Sequence, residues 1–309
     1  MPLRLVNAAG RAGVCVGGHV VDVERGSAGR FGSDPMQALA RWDEFRSWAE
    51  GLRAGSGDAV QDDDSLGPCS PRPQKVFGIG LNYKSHASEA KLELPKQPLV
   101  FTKFPNCLVG PRTDVVLTSE RVDYEVELVA VIGRRGRGIS ESRALDHVAG
   151  FCVGQDISDR ALQFADKPPQ FSLGKSADSF GPIGPAVVSL DAFADPDDLP
   201  LWCEIAGQRL QEDRTRNLIF PVAELVAYLS RFCTLEPGDL IFTGTPAGVG
   251  STRDPRRYLA PGDVIESGID GIGQLCNRCT AGPASFAQRA QASEPKASEG
   301  HRTGERSPV

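Results

Sequence analysis

Residues 123–133 read Asp-Tyr-Glu-Val-Glu-Leu-Val-Ala-Val-Ile-Gly, a nearly continuous apolar run that contains two glutamates. Such a run predicts a buried strand. Successive side chains of a strand point to opposite faces, so Glu125 and Glu127 share a face with Val129. Neighbouring buried carboxylates lose hydration and repel each other unless a cation or hydrogen bonds compensate them. The stretch therefore predicts either a cation site inside a sheet or an edge strand whose glutamates face water.

A third carboxylate follows a second apolar run. Residues 148–156 read Val-Ala-Gly-Phe-Cys-Val-Gly-Gln-Asp and predict a strand with Asp156 at its carboxyl end. Together with Glu125 and Glu127, this residue gives a set of oxygen ligands without a neighbouring histidine or cysteine. A set of that kind suits Mg²⁺, Mn²⁺ or Ca²⁺ and disfavours zinc or copper.

A histidine and a glutamate are candidates for acid–base chemistry. The polar residues 82–90 follow a predicted buried strand, and they contain His86 and Glu89. If this segment is helical, the two side chains lie one turn apart on the same face and can hydrogen-bond. An imidazole oriented by a carboxylate is a competent general base near neutral pH. An isolated pair with this spacing is more often a surface pair, so both interpretations stay open at this point.

A glycine-rich segment is a candidate binding loop. Residues 243–250 read Thr-Gly-Thr-Pro-Ala-Gly-Val-Gly. Glycines such as Gly244 let backbone amides approach a ligand closely, and Thr245 offers a hydroxyl beside them. The spacing differs from that of a phosphate-binding P-loop.

Composition limits the class of protein. The net charge of −6 argues against nucleic acid as a partner, because phosphate binding needs clustered lysine and arginine. Apolar runs are too short to span a bilayer, and the N-terminus lacks the apolar segment of a secretory signal. The eight cysteines are scattered, several of them in apolar runs, and the single C-x-x-C at 276–279 has no second pair for zinc. We therefore expect a cytoplasmic protein with no membrane partner.

Changes in composition predict the domain organisation. Residues 1–54 combine short alternating strands with an amphipathic helix and predict a small N-terminal α+β domain. Residues 55–74 are polar, acidic and proline-rich, as a linker would be. The main domain is expected at 75–280. Residues 281–309 lack apolar periodicity and predict a disordered tail.

Several motifs occur together in one order. They are G-I-G-L-N-Y-x-x-H-x-x-E, Y-E-V-E-L-V-A-V-I-G, D-I-S-x-R followed by Gln163, L-G-K, and T-G-T-P-A-G-V-G. Each is weak alone, but the ordered combination is specific. On these residues, from about 77 to 279, the chain resembles the fumarylacetoacetate hydrolase family, and in particular its bacterial and mitochondrial members. The resemblance implies a mixed α/β, mainly β fold, a β-sandwich roll with few helices, and a homodimer.

The resemblance also implies roles for individual residues. These are binding of Mg²⁺ or Mn²⁺ by Glu125, Glu127 and Asp156, catalysis by His86, Glu89 and Lys175, and substrate binding by Arg160, Gln163, Thr245 and Gly244. In relatives the segment with the histidine orders as a lid over bound ligand. Relatives often have an acid directly after the matching arginine, where this chain has Ala161.

The implied reaction is metal-dependent cleavage of a carbon–carbon bond in an acylpyruvate or a fumarylacetoacetate-like 1,3-dicarbonyl or 2-oxo acid, in catabolism of aromatic compounds or sugar acids. The main alternative uses the same metal site for decarboxylation of an oxaloacetate-like acid or isomerisation of a 2-hydroxyhepta-2,4-diene-1,7-dioate. A third alternative is a catalytically silent scaffold.

Overall fold

The strand that contains Glu127 lies in the interior of a large sheet. It spans Val126–Ile132, and all seven of its residues are buried. It pairs antiparallel with Val148–Gln155 on one side and with Leu240–Phe242 on the other. An edge strand with its glutamates in water is therefore excluded.

The computed structural model describes residues 2–53, 58–59 and 65–282. Within these residues the fold is mixed α/β and mainly β, as the resemblance implies. The strands are β1 (Arg4–Ala8), β2 (Arg11–Val16), β3 (His19–Asp22), β4 (Asp58–Ala59), β5 (Val76–Gly80), β6 (Leu99–Thr102), β7 (Leu108–Val109), β8 (Val115–Leu117), β9 (Val122–Asp123), β10 (Val126–Ile132), β11 (Val148–Gln155), β12 (Ser158–Asp159), β13 (Gly181–Val188), β14 (Pro200–Ile205), β15 (Gln208–Arg214), β16 (Leu240–Phe242), β17 (Val264–Ile269) and β18 (Gly273–Ala281). The α-helices are α1 (Val23–Gly26), α2 (Pro35–Ala40), α3 (Trp42–Ala49), α4 (Lys84–Glu89), α5 (Arg160–Gln163), α6 (Phe171–Gly174) and α7 (Val222–Phe232). None of these helices is long and apolar enough to cross a membrane.

The described strands form two main sheets that pack face to face. The large sheet has the order β4-β3-β2-β1-β13-β11-β10-β16-β5-β6, with β7 beside β13. The second sheet has the order β15-β14-β17-β18-β8, and its strands pack on β10, β11 and β13. Apolar side chains of both sheets form one continuous core, and their removal from water is the main stabilising contribution.

The register of β10 against β11 brings the candidate ligands together. Val126 lies opposite Gln155, so Glu125 just before β10 meets Asp156 just after β11. The Asp156 amide donates a hydrogen bond of 2.9 Å to the Glu125 carbonyl. A slip of one residue would turn one strand's side chains to the other face. The antiparallel pairing thus determines which carboxylates can share a cation.

The N-terminal strands extend the large sheet. Strand β1 pairs antiparallel with β13, and Arg4 lies opposite Val188. One sheet therefore contains strands from both sides of the predicted linker, and the division into domains stays a prediction. Residues 283–309, which are nearly all of the predicted tail, lie outside the described residues.

Candidate metal centre and active site

Three carboxylates converge where β10 begins and β11 ends. One oxygen each of Glu125, Glu127 and Asp156 can be chosen so that all three lie within 4.8 Å of one another. All three residues are buried. The strand alternation places both glutamates on one face, as the sequence predicts. Three converging carboxylates can hold a hard divalent cation.

Lys175 lies against two of these acids. It follows α6, and its side chain is 2% exposed. Its ammonium group donates to Glu125 at 2.9 Å, to Asp156 at 2.6 Å and to the Ser158 hydroxyl at 2.7 Å. Since an ammonium group carries three hydrogens, these bonds use all of its donors. The carboxylates thus already bind one cation of the chain itself.

A second buried lysine was not identified in the sequence analysis. Lys103 directly follows β6, and its side chain is fully buried. It donates to Asp156 at 2.7 Å, to the Phe180 carbonyl at 3.1 Å and to the Lys175 carbonyl. Lysine is almost never buried without a partner. A lysine at the end of the apolar run Leu-Val-Phe-Thr-Lys was the available signal, but its partners are distant in the chain.

The two glutamates differ in charge compensation. Burial opposes ionisation of Glu125, but the positive charges of Lys175 and Arg160 outweigh it and lower the pKa to about 2. Burial raises the pKa of Glu127, and the charges of Asp156 and Glu125 raise it further. Among the described residues, no lysine or arginine forms an ion pair with Glu127. A divalent ion would supply the missing positive charge, so the donor set fits Mg²⁺ or Mn²⁺.

The glycine-rich segment 243–250 hydrogen-bonds to one carboxylate of this centre. The Gly244 amide donates to the Glu127 carboxylate at 2.7 Å. Its φ is +104°, and an added Cβ would lie 2.7 Å from Cβ of Asn82, so only glycine fits. The Thr245 hydroxyl donates to a carbonyl of β10 and accepts a 2.8 Å bond from Gln211. The segment therefore orients a candidate metal ligand, and its amide at 244 is not available to substrate.

Arg160 has an orientation set by several partners. Its guanidinium donates to Asp123 at 2.9 Å, to Gln163 at 2.8 Å and to Glu125. Asp123 is fully buried and was not identified in the sequence analysis, although it opens the quoted stretch. Asp123 and Glu125 thus give this arginine buried acidic partners within the chain itself. The absence of an acid at 161 thus leaves this arginine well positioned.

The predicted dyad lies on helix α4. The His86 Nδ1 atom is 3.5 Å from Glu89 Oε2, too long and too poorly aligned for a good hydrogen bond. Both oxygens of Glu89 accept from the Gly248 amide at 3.1 Å. Burial raises the pKa of Glu89, but the nearby His86 imidazole and the hydrogen bond from the Gly248 amide lower it overall. The Ser85 hydroxyl also ties this helix to Asp213 of β15, over 2.7 Å.

A cavity of about 300 Å³ opens beside the acidic triad. Six of the ten predicted site residues line it, namely His86, Glu125, Arg160, Gln163, Lys175 and Thr245. The other four contact these residues or belong to the triad, namely Glu89, Glu127, Asp156 and Gly244. The site residues that the sequence predicts thus lie in one region of the fold.

A family model described as "Fumarylacetoacetate (FAA) hydrolase C-terminal" matches residues 75–280. The chain belongs to the fumarylacetoacetate hydrolase family. It is 47% identical to the fumarylacetoacetate hydrolase domain-containing protein 2 homolog of Dictyostelium discoideum. The match covers 66% of this chain and 71% of the relative.

Two solved structures of family members are also similar. The probable 2-hydroxyhepta-2,4-diene-1,7-dioate isomerase of Mycobacterium abscessus is 30% identical, with a TM-score of 0.78 over 92% of this chain and all of that one. The maleylpyruvate hydrolase of Sphingobium sp. SYK-6, in complex with manganese(II) and pyruvate, is 27% identical, with a TM-score of 0.74 over 91% of this chain and all of that one. This fumarylacetoacetate hydrolase family member thus resembles both hydrolases and isomerases.

Proposed function

We propose that this family member is a divalent-metal-dependent hydrolase that cleaves the carbon–carbon bond of an acylpyruvate or a related 1,3-dicarbonyl 2-oxo acid. The observation that carries the proposal is the convergence of three buried carboxylates beside a cavity that is also lined by His86 and Lys175. The maleylpyruvate hydrolase with bound manganese and pyruvate supports it, because it has the same fold and a related reaction.

The triad would hold Mg²⁺ or Mn²⁺, which supplies Lewis-acid activation of substrate oxygens when bound. His86 lies at the cavity and would accept a proton from a water molecule. Glu89 lies one helical turn away, 3.5 Å from the imidazole, and would orient it in the reaction. The water oxygen then bonds to the acyl carbonyl carbon.

Cleavage places the bonding electron pair on the departing carbon, which becomes the enolate of pyruvate. His86 returns its proton to that carbon, so the products are a carboxylic acid and pyruvate. Lys175 would provide fixed positive charge near the developing negative charge, while its hydrogens stay on Glu125, Asp156 and Ser158. Arg160 and Gln163 hold each other rigidly at the same wall of the cavity.

A second candidate is isomerisation or decarboxylation of an unsaturated or oxaloacetate-like 2-oxo acid. The similarity to the Mycobacterium abscessus isomerase over nearly the whole chain favours it. Both reactions need the acids, but only hydrolysis needs water activation.

The deciding experiment measures release of pyruvate from acetylpyruvate and loss of CO₂ from oxaloacetate, with Mg²⁺ and with EDTA. Hydrolysis predicts Mg²⁺-dependent pyruvate release that falls by about 10² or more in His86→Ala. Metal-dependent CO₂ release that survives His86→Ala, without acylpyruvate cleavage, would favour decarboxylation. A lack of turnover on both substrates and on a dienedioate would contradict both candidates and favour a scaffold.

A further inference from the structure

The candidate cavity has two chemically different walls. Its charged and polar wall is built by the residues beside the triad. The other wall is apolar, and its chief members are Leu81, Leu92, Phe101, Phe164, Pro169 and Phe171. Among these, the side chains of Leu92 and Phe164 are each about half exposed, at 52%, and so lie towards the solvent side.

The apolar wall begins directly beside the charged one. The ammonium group of Lys175 lies 5.2 Å from the ring centroid of Phe101. That ring packs on Phe171, with centroids 5.6 Å apart. Phe101 of β6 also lies opposite Gly78 of β5. A Cβ atom added to Gly78 would lie 2.3 Å from the Phe101 ring. A glycine at 78 therefore makes room for an aromatic ring next to the reacting groups.

The cations of the cavity are already committed to acids. Lys175 uses its three hydrogens on Glu125, Asp156 and Ser158, and Arg160 uses three of its five N–H donors on Asp123, Gln163 and Glu125. Within the described part of the chain, no other lysine or arginine lines the cavity. A carboxylate at the distal end of a substrate, away from Lys175 and Arg160, would therefore have no lysine or arginine of the described lining beside it.

Granted the proposed function, we propose that the acyl group accepted by this cavity is apolar, an alkyl or aryl chain, and does not end in a carboxylate. A terminal carboxylate against the rings of Phe164 and Phe171 would lose part of its hydration, and among the described residues no lysine or arginine lies over either ring. An apolar chain of the same shape would instead gain from leaving water. Maleylpyruvate and the dienedioate, after which two similar proteins are named, are both diacids. The proposed preference would distinguish this chain from those two proteins.

The test compares two substrates with the same heavy-atom skeleton, 4-methylpentanoylpyruvate and succinylpyruvate, which differ only in a terminal isopropyl or carboxylate group. Acetylpyruvate serves as the reference for the reaction itself. We expect kcat/KM for the isopropyl compound to exceed that for the acid by about tenfold or more, because the acid must desolvate a charge. Equal or faster cleavage of succinylpyruvate would overturn the inference while leaving the hydrolase assignment intact.

If no acylpyruvate is cleaved, that result counts against the proposed function alone. An equilibrium binding measurement then still tests the inference about the apolar wall. Binding of 6-methyl-2-oxoheptanoate and of 2-oxoadipate, another pair with one skeleton, is measured by calorimetry with Mg²⁺ present. The apolar acid should bind about tenfold more tightly, for the same reason. Tighter binding of 2-oxoadipate would overturn the inference.

A variant pair locates the effect at the apolar wall. Phe164→Arg introduces a cation at a half-exposed position, and Phe164→Met removes the ring without adding charge. We expect the arginine variant to shift the preference towards succinylpyruvate, whereas the methionine variant keeps the preference of the wild type. The same shift in both variants would show that ring loss, and not charge, sets the preference.

Discussion

The hydrogen bond between Ser85 and Asp213 offers a sharp test of how His86 is positioned. Helix α4 has only six residues and is too short to be stable alone, so it depends on tertiary anchors. Its Ser85 hydroxyl donates to Asp213, 128 positions away, over 2.7 Å. Its other end is held by Glu89, which accepts from the Gly248 amide. Removing the serine hydroxyl should therefore loosen the histidine without disturbing the triad.

The expected size follows from the partner. A hydrogen bond to a charged acceptor contributes about 1.5 to 3 kcal/mol, and the lower figure suits this partly buried pair. If the loss appears wholly in the reaction, Ser85→Ala lowers kcat/KM by about tenfold. We expect most of the change in kcat, because the role proposed for His86 is proton transfer and not substrate binding. Ser88→Ala, at an exposed position of the same helix, is the control and should change kcat/KM by less than about twofold.

The assay is steady-state pyruvate release from acetylpyruvate, with melting temperature recorded for each variant. Exchanging the two residues in Ser85→Asp/Asp213→Ser restores a serine–aspartate hydrogen bond in the reverse direction. The double variant should therefore be more active than Asp213→Ser alone, which also loses the bond from Asn217 to Asp213. Wild-type activity in Ser85→Ala, or a double variant no better than Asp213→Ser, would refute the positioning role.

Four further predictions concern the buried charges and the assembly. Lys103→Met should cost about 1.5 to 3 kcal/mol of unfolding free energy, because it removes a hydrogen bond to the charged Asp156 and leaves Lys175 as that carboxylate's remaining cationic partner among the described residues. The exposed Lys96→Met should be nearly neutral in urea unfolding. Saturating Mg²⁺ should raise the melting temperature of the wild type, with a stabilisation of about 2.7 kcal/mol at 100-fold excess over Kd. The melting temperature of Glu127→Gln should not change with Mg²⁺. An equal shift in both proteins would contradict the metal site. Ala161→Glu should alter kcat/KM by less than about twofold, since Arg160 already has its acidic partners, and a clear gain would show otherwise. Sedimentation equilibrium should give a mass near twice 33.0 kDa if the expected homodimer forms, and a mass of one chain would contradict that expectation.

Much of the site was accessible from local patterns. Strand β11 and helix α4 follow from apolar runs and short polar segments, whose conformations depend on near neighbours in the chain. The spacing of His86 and Glu89 likewise predicts their contact, because residues three apart meet on one helix face. The acids were recognisable because an apolar strand tolerates them only with compensation.

The partners of buried charges required the folded structure. Lys103 and Asp156 are 53 positions apart, and nothing local to either residue predicts that they meet. Asp123 stands near the quoted acids, yet its bond to Arg160 depends on the return of the chain 37 residues later. Such pairs arise from strand order and loop paths, which the sequence specifies only through the whole core.

The alternation of apolar and acidic residues was enough to place Glu125 and Glu127 on one face of a strand, because side-chain direction in a strand has a period of two. The pairing of β10 on both sides then decided that this face is buried and not in water. The register of β10 on β11 places Asp156 beside the two glutamates. The pairing of the edge strand β6 places Phe101 in the lining of the cavity beside the triad. These long-range placements follow from packing the two sheets into one core. No single segment contains enough information to determine them.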